Sequence, residues 1–285
     1  MLKQVFISLR PRQWLKNFFV LAPLVFARGF GEPERVLAAV EAFALFCAAS
    51  SAVYLVNDIL DRDLDRLHPR KANRPVASGR LSVVHAALFA FVLGAAALTG
   101  GFLQNTLFGF SIAGYLLLQL LYSFVLKRLI ILDVFSVAAG FVLRVAAGAA
   151  AISVPVSVWI VLCTFFLTLF LAVNKRRGEH SRAYGVSARP SLGAYPSGVL
   201  ELMSTVGLSA TVITYALYSF SSEHSRLLML TVPIVLYGLF YYAAAIARGG
   251  DDSPDPTDVL LREAPLKWSV ALFLAAALSV LLFAR

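Results

Sequence analysis

Asn57-Asp58-Ile59-Leu60-Asp61-Arg62-Asp63-Leu64-Asp65 closes a long apolar run that begins near residue 36. A run of that length crosses a bilayer as a helix, so its end carries carboxylates to the lipid–water boundary. At about 100° per residue, Asp58, Asp61 and Asp65 fall on one helical face and Asp63 on roughly the opposite one. Like charges that share a face repel unless a cation sits among them. Mg²⁺ suits that position, because it binds a few carboxylates together with substrate phosphates. The plainer alternative is surface pairing, since Arg62 and Arg66 lie close to Asp61 and Asp65. Asn57 and Asp58 weigh against it, because polar groups at the edge of an apolar span are costly and usually functional.

The rest of the chain places this segment in a membrane. It is 59% apolar and 14% charged, with a mean hydropathy of +0.78. A soluble protein carries nearer 25% charge. Nine apolar runs are long enough to span, at roughly 14–28, 36–58, 83–103, 107–125, 131–151, 155–174, 199–220, 228–247 and 268–284. Continuous rather than alternating apolar runs exclude a β-barrel. The fold class is therefore an all-α membrane protein. It is expected as one transmembrane domain, 1–285, with about nine helices around a central cavity open to the cytoplasm. The first run reads as a retained helix and not a cleaved leader. Cys47 and Cys163 lie inside apolar runs and read as small core residues.

Of the 25 Lys and Arg, twenty lie at alternate loop ends together with the N-terminal segment, four on the other side, and Arg144 inside a run. That bias puts the N-terminus and the acidic segment in the cytoplasm, and the C-terminus outside. The net charge of +9 then belongs to a cytoplasmic face suited to membrane lipids and anionic substrates, with no nucleic acid implied. Cytoplasmic cap loops are expected near 59–82, 175–198 and 249–267. The acids of the last read as solvated, with a short helix starting at Pro256. Helix 2 ends in Asn57-Asp58 and helix 6 in Asn174-Lys175, an echo that suggests two four-helix sets with the ninth helix outside them.

Cations follow the acids. In His68-Pro69-Arg70-Lys71-Ala72-Asn73-Arg74-Pro75-Val76-Ala77-Ser78-Gly79-Arg80, Pro and Gly prevent a regular helix. Arg74 and Arg80 bracket a turn fit to clasp phosphate oxygens, or else belong to a generic basic loop. His68 reads as a loop residue. Trp14 is an interfacial anchor, and Lys16 and Asn17 stand near headgroup depth, for a lipid phosphate or for simple snorkelling. Tyr122 and Lys127 end helix 4, and Asp133 opens helix 5. Arg144, about 16 Å further along, needs a buried partner, with Glu41 a structural candidate. Gly140 and Gly148 read as helix-packing residues. Lys175 and Glu179 share a face, either as a structural pair or, with Arg176, as a second phosphate or ribose contact. Nucleophile elbow, P-loop, Rossmann and zinc patterns are absent from the sequence.

The motif Asn57-Asp58-x-x-Asp61-x-x-x-Asp65, with Asn73-Arg74-Pro75 and Ser78-Gly79, resembles the UbiA superfamily of intramembrane prenyltransferases over essentially the whole chain. That family uses two Asp-rich motifs and Mg²⁺ to bind a prenyl diphosphate. Here the second position reads Asn174-Lys175-Arg176-Arg177-Gly178-Glu179. This departure, with Arg10-Pro11-Arg12-Gln13-Trp14-Leu15-Lys16-Asn17, Leu126-Lys127, Asp133-Val134, Gly140-Phe141-Val142-Leu143-Arg144 and Asp255-Pro256-x-Asp258, resembles a decaprenyl-phosphate phosphoribosyltransferase branch. The resemblance implies transfer from phosphoribosyl diphosphate to a polyprenyl phosphate lipid. It implies Asn57, Asp58, Asp61 and Asp65 as Mg²⁺ and diphosphate ligands, with Asp58, Asp61 and Asp65 catalytic. It implies substrate-binding roles for Lys16, Asn17, Lys71, Arg74, Arg80, Tyr122, Lys127, Asp133, Arg144, Lys175 and Arg176. Two other readings stand beside it: an aromatic prenyltransferase that consumes a prenyl diphosphate, and a lipid transporter or lipid-binding protein without chemistry.

Overall fold

Helix dominates the described residues, 2–67, 71–180, 190–221, 226–248 and 255–283, of this computed structural model, and no strand forms among them. The loop residues His68, Pro69, Arg70 and 249–254 lie outside that set. Among the described residues, eight helical segments are long and apolar enough to cross a membrane. In chain order their α-helices are α1 (Pro33–Leu60), α2 (Val83–Gln104), α3 (Thr106–Phe124), α4 (Leu132–Ala151), α5 (Val158–His180), α6 (Val199–Ser221), α7 (Val232–Arg248, which reaches spanning length with the 3₁₀ helix Arg226–Thr231 before it) and α8 (Ala264–Phe283). Local sequence explains several starts. Pro33 opens α1, where a missing N–H costs nothing. Ser82 caps α2 by accepting from His85 N at 3.3 Å. Asn105 caps α3 by accepting from Leu107 N at 2.8 Å.

The run expected as a ninth spanning helix, 14–28, takes another form. It is a 3₁₀ helix, Pro11–Leu21, followed by a five-residue α-helix, Ala22–Phe26. Pro23 accounts for part of this. It cannot donate to the Phe19 carbonyl, which instead accepts from Ala22 N in the tighter i→i+3 pattern. At about 2.0 Å per residue the 3₁₀ portion alone is about 22 Å long.

The chain packs as two compact units. The first comprises Met1–Leu24, Gly29–Val125 and Leu143–Pro155; the second comprises Val25–Arg28, Leu126–Val142 and Val156–Arg285. In the first, α1 is the central element. Its small residues Ala42, Ala49, Ser50, Ser51 and Ala52 are buried and let neighbouring backbones come close. Phe46, Phe108, Ile112 and Tyr115 fill the core beside Val20, Ala97 and Ala147. The 28 residues of α1 make about 42 Å of helix, longer than the roughly 30 Å apolar layer, so its end reaches polar surroundings. Gly148 of α4 meets the 3₁₀ segment with no room to spare. A Cβ there would overlap the Val20 carbonyl oxygen and lie 2.8 Å from its carbon. Gly148→Ala is accordingly expected to lower the thermal unfolding temperature of purified protein and to cost about 1–3 kcal/mol, because backbone rather than a flexible side chain must yield.

In the second unit α5 packs on α6, where a Cβ on Gly207 would lie 3.3 Å from Phe170 Cα. Phe170, Leu239, Tyr242, Ile246, Val259 and Leu266 form one core cluster. α8, the helix that the sequence echo sets apart, packs against its neighbours. Its Ala277 and Leu281 share a buried cluster with Leu228, and Ser269 Oγ donates to Ile234 O at 3.1 Å. The second cap loop begins later than its sequence bound. α5 runs on to His180, because Lys175–Glu179 and Arg176–Glu179 pairs prolong it beyond the apolar run. Pro256 opens a helix as expected, Pro256–Arg262, and α8 begins at Ala264.

Candidate active site

α1 delivers the acidic motif to the surface of the first unit. Asp61 ends the helix at φ −92°, ψ 6°, and a short helix resumes over Arg62–Arg66. The hydrogen-bond ladder still carries through, from Asp61 N to Asn57 O at 2.9 Å and from Asp65 N to Asp61 O at 2.8 Å. Asp58 and Asp65 end up buried, at 2% and 3% exposure. Both point at one guanidinium. Arg74 Nη1 donates to Asp65 Oδ2 at 2.6 Å and to Asp58 Oδ1 at 3.2 Å. Asp58 is also paired with Arg10, which stacks over the Tyr54 ring at 4.9 Å. Asp61 is half-buried at the break between the two helices. Asn57 Oδ1 lies 2.5 Å from Ser123 Oγ of α3.

The basic loop is built into this arrangement. Arg66 Nε donates to Ala77 O at 2.9 Å, and Leu81 N donates to Pro75 O at 2.9 Å. Gly79 closes the turn at φ 77°, a conformation open to glycine and costly for other residues. Arg80 is exposed and engages Ser78 Oγ at 2.9 Å and the Asn73 carbonyl. Arg74 and Arg80 therefore make different contacts, one on the acids and one on the turn. Lys71 starts a one-turn 3₁₀ helix.

Deeper in the same unit, Arg144 is 4% exposed. Its Nε donates to Asn17 Oδ1 and its Nη2 to Tyr115 OH, both at 2.9 Å. Asn17 Nδ2 turns to Ser50 Oγ at 3.0 Å. Glu41, the structural partner weighed from sequence, is exposed; polar neutral groups hold Arg144 instead. Trp14 Nε1 donates to Ser51 Oγ at 3.0 Å, so the indole is anchored to α1. Lys16 and Tyr122 are half-buried.

The second unit has its own polar knot. Asp133 is fully buried. It accepts from Arg176 Nε at 3.0 Å, from Tyr195 OH at 2.6 Å and from Ser191 Oγ at 3.3 Å. Tyr195 OH also accepts from Ile131 N at 2.8 Å. Burial, and then the Asp133 carboxylate, push the Tyr195 phenol above its usual range. Arg176 reaches Glu179 at 2.7 Å. Lys175 pairs with Asp255, so Asp255 is not the solvated linker acid expected from sequence. Lys127 is half-buried at the foot of α4. Ser123, Tyr115, Ser191 and Tyr195 carry no signal of a site role in the sequence, and Arg10 carries only its place in the Arg10–Asn17 motif.

Among the described residues no group of three or more His, Cys, Asp or Glu stands close enough to hold a metal ion. The acids that converge are the pair Asp58 and Asp65, and the fit to Mg²⁺ rests on them. They are hard oxygen donors, buried, and aimed at one shared cationic position. Mg²⁺ commonly takes one or two carboxylates and completes its shell with water and substrate phosphate.

Residues 17–261 match the UbiA prenyltransferase family. A "Decaprenyl-phosphate phosphoribosyltransferase" of Mycolicibacterium smegmatis is 34% identical over 94% of this chain and 88% of its own length. A relative of the same name from Corynebacterium glutamicum is 35% identical over 94% and 85%. A UbiA homologue from Archaeoglobus fulgidus, solved with DMAPP and Mg²⁺, superposes with a TM-score of 0.72 at 21% identity, covering 98% of this chain and 99% of that one. The sequence motif, the helical architecture and the family match agree: the chain belongs to the UbiA prenyltransferase family and is a multi-pass membrane transferase.

Proposed function

We propose that this protein transfers the 5-phosphoribosyl group of phosphoribosyl diphosphate to a polyprenyl phosphate, releasing diphosphate. The observation that carries the reading is the buried Asp58–Asp65 pair, bracketed by Arg10 and Arg74 within one packed unit. Such a site offers carboxylates to a divalent ion and guanidinium groups to phosphate oxygens. The names of relatives that align over nine-tenths of the chain support the substrate pair.

In the proposed reaction the ribose C1–O bond to diphosphate breaks and a C1–O bond to the lipid phosphate forms. Mg²⁺ held by Asp58 and Asp65 would neutralise charge on the departing diphosphate. Arg74 and Arg10 lie where phosphate oxygens would exchange with carboxylates as their partners. Lys71 and Arg80 belong to the same loop and extend its positive field. The lipid phosphate is already an anion, so it attacks without a strong general base. Catalysis then rests on orientation and fixed charge. The Lys and Arg asymmetry supports a cytoplasmic face for this chemistry, where a soluble donor would be available.

The runner-up is alkylation of an aromatic acceptor by a prenyl diphosphate. It is disfavoured at the end of α5, where Lys175, Arg176 and Arg177 stand and Arg176 is paired with Asp133 and Glu179. A parallel assay separates the readings. Purified protein with Mg²⁺ receives either labelled phosphoribosyl diphosphate and a polyprenyl phosphate, or labelled prenyl diphosphate and an aromatic acid. Label entering the lipid phase only in the first mixture is the expected result. Alkylated aromatic product in the second, with no transfer in the first, would reverse the assignment.

A further inference from the structure

We propose that Arg10 is a built-in counter-ion of the metal-free site, holding Asp58 until a divalent ion displaces it. The inference rests on Asp58 and Asp65 being the metal pair. It concerns what occupies their charge before the metal arrives.

Four observations point to Arg10. Its guanidinium pairs with Asp58, 48 positions away in sequence. It also lies over the Tyr54 ring, one turn earlier on α1. Its backbone is left-handed, at φ 53° and ψ 62°, which is unfavourable for any residue with a Cβ. That conformation is pinned from both sides, with Arg10 N donating to Ile7 O at 3.2 Å and Gln13 N donating to Arg10 O at 2.8 Å. The turn thus aims one long cation at one buried acid. Ser8 Oγ and Gln13 Oε1, on either side of Arg10, are buried with no hydrogen-bond partner. The Ser8 hydroxyl could therefore donate to an oxygen ligand, and the Gln13 carbonyl oxygen could accept from water.

Charge arithmetic gives this geometry its consequence. Asp58 and Asp65 carry two negative charges, and Arg10 and Arg74 supply two positive ones. A divalent ion entering that balanced cluster leaves a surplus of two positive charges. The surplus is relieved when a guanidinium leaves its carboxylate or when a diphosphate arrives. Arg74 is tied to both acids, whereas the Arg10 contact to the pair is through Asp58 alone. Arg10 is the one that can let go without separating the acids from each other. Once released, it is a free donor beside the incoming anion. The device makes metal binding weak until a diphosphate is present.

The test is a Mn²⁺ titration followed by electron paramagnetic resonance, on wild type and Arg10→Gln in detergent, first alone and then with inorganic diphosphate. Without diphosphate, Arg10→Gln should bind Mn²⁺ about tenfold more tightly, the loss of one charge-assisted competitor. With diphosphate the gap should narrow. Equal or weaker Mn²⁺ binding by a folded Arg10→Gln would overturn the proposal. A second measurement uses the wild type only: Mn²⁺ with diphosphate should raise the reactivity of Arg10 toward an arginine-specific dicarbonyl, read by peptide mass spectrometry. Unchanged reactivity would also overturn it. Asp58→Asn separates the two levels of the argument. If it binds Mn²⁺ as wild type does, the metal pair itself is wrong and the counter-ion role falls with it.

Discussion

Asp58→Asn should lower the proposed phosphoribosyl transfer by about a thousandfold or more while the protein still inserts and purifies as a folded species. The substitution keeps the shape and removes the charge. It removes a hard ligand from the proposed metal pair and the acid that Arg10 and Arg74 share. The two arginines are 26% and 28% exposed, so water can take up much of what they lose. The fold is therefore expected to survive with a small shift in thermal unfolding, which separates lost chemistry from lost structure. Near-wild-type turnover with unchanged Mg²⁺ dependence would remove Asp58 from the site.

Arg176→Ala should have the largest effect on stability. The Arg176 side chain is 3% exposed and its partner Asp133 is fully buried. Removing the guanidinium leaves Asp133 with Tyr195 and Ser191, which are neutral donors. A buried ion stripped of its partner typically costs about 3–5 kcal/mol. Measured as thermal unfolding in detergent, Arg176→Ala should fall well below wild type. The double variant Arg176→Met with Asp133→Leu should recover part of that loss, because it buries no unpaired charge. A single variant as stable as wild type would mean that Asp133 is not dependent on this pair.

The α1 acids were legible because hydropathy marks where a span ends, and carboxylates at that boundary are rare. The Lys175–Glu179 pair was legible because both residues lie on one helix, where spacing fixes the distance. Spacing says nothing about partners from elsewhere in the chain. Arg144 and Asn17 are 127 positions apart, and Tyr195 and Asp133 are 62 apart. The same limit hid Arg10, whose role depends on a left-handed turn that brings it onto α1. The first apolar run takes a form that hydropathy alone does not show, for a local reason. Its length is right for a span, but Pro23 turns it from one α-helix into a 3₁₀ segment and a short helix.

The bond that breaks is the most direct test of the account. Phosphoribosyl diphosphate labelled with ¹⁴C in the ribose and, separately, with ³²P in the diphosphate would be given to the purified protein with Mg²⁺ and a polyprenyl phosphate. The ribose label should move into the lipid, and the diphosphate label should stay in water as inorganic diphosphate in equal amount. Diphosphate label on the lipid, or ribose label confined to the aqueous phase while a prenyl diphosphate is consumed, would contradict the assignment.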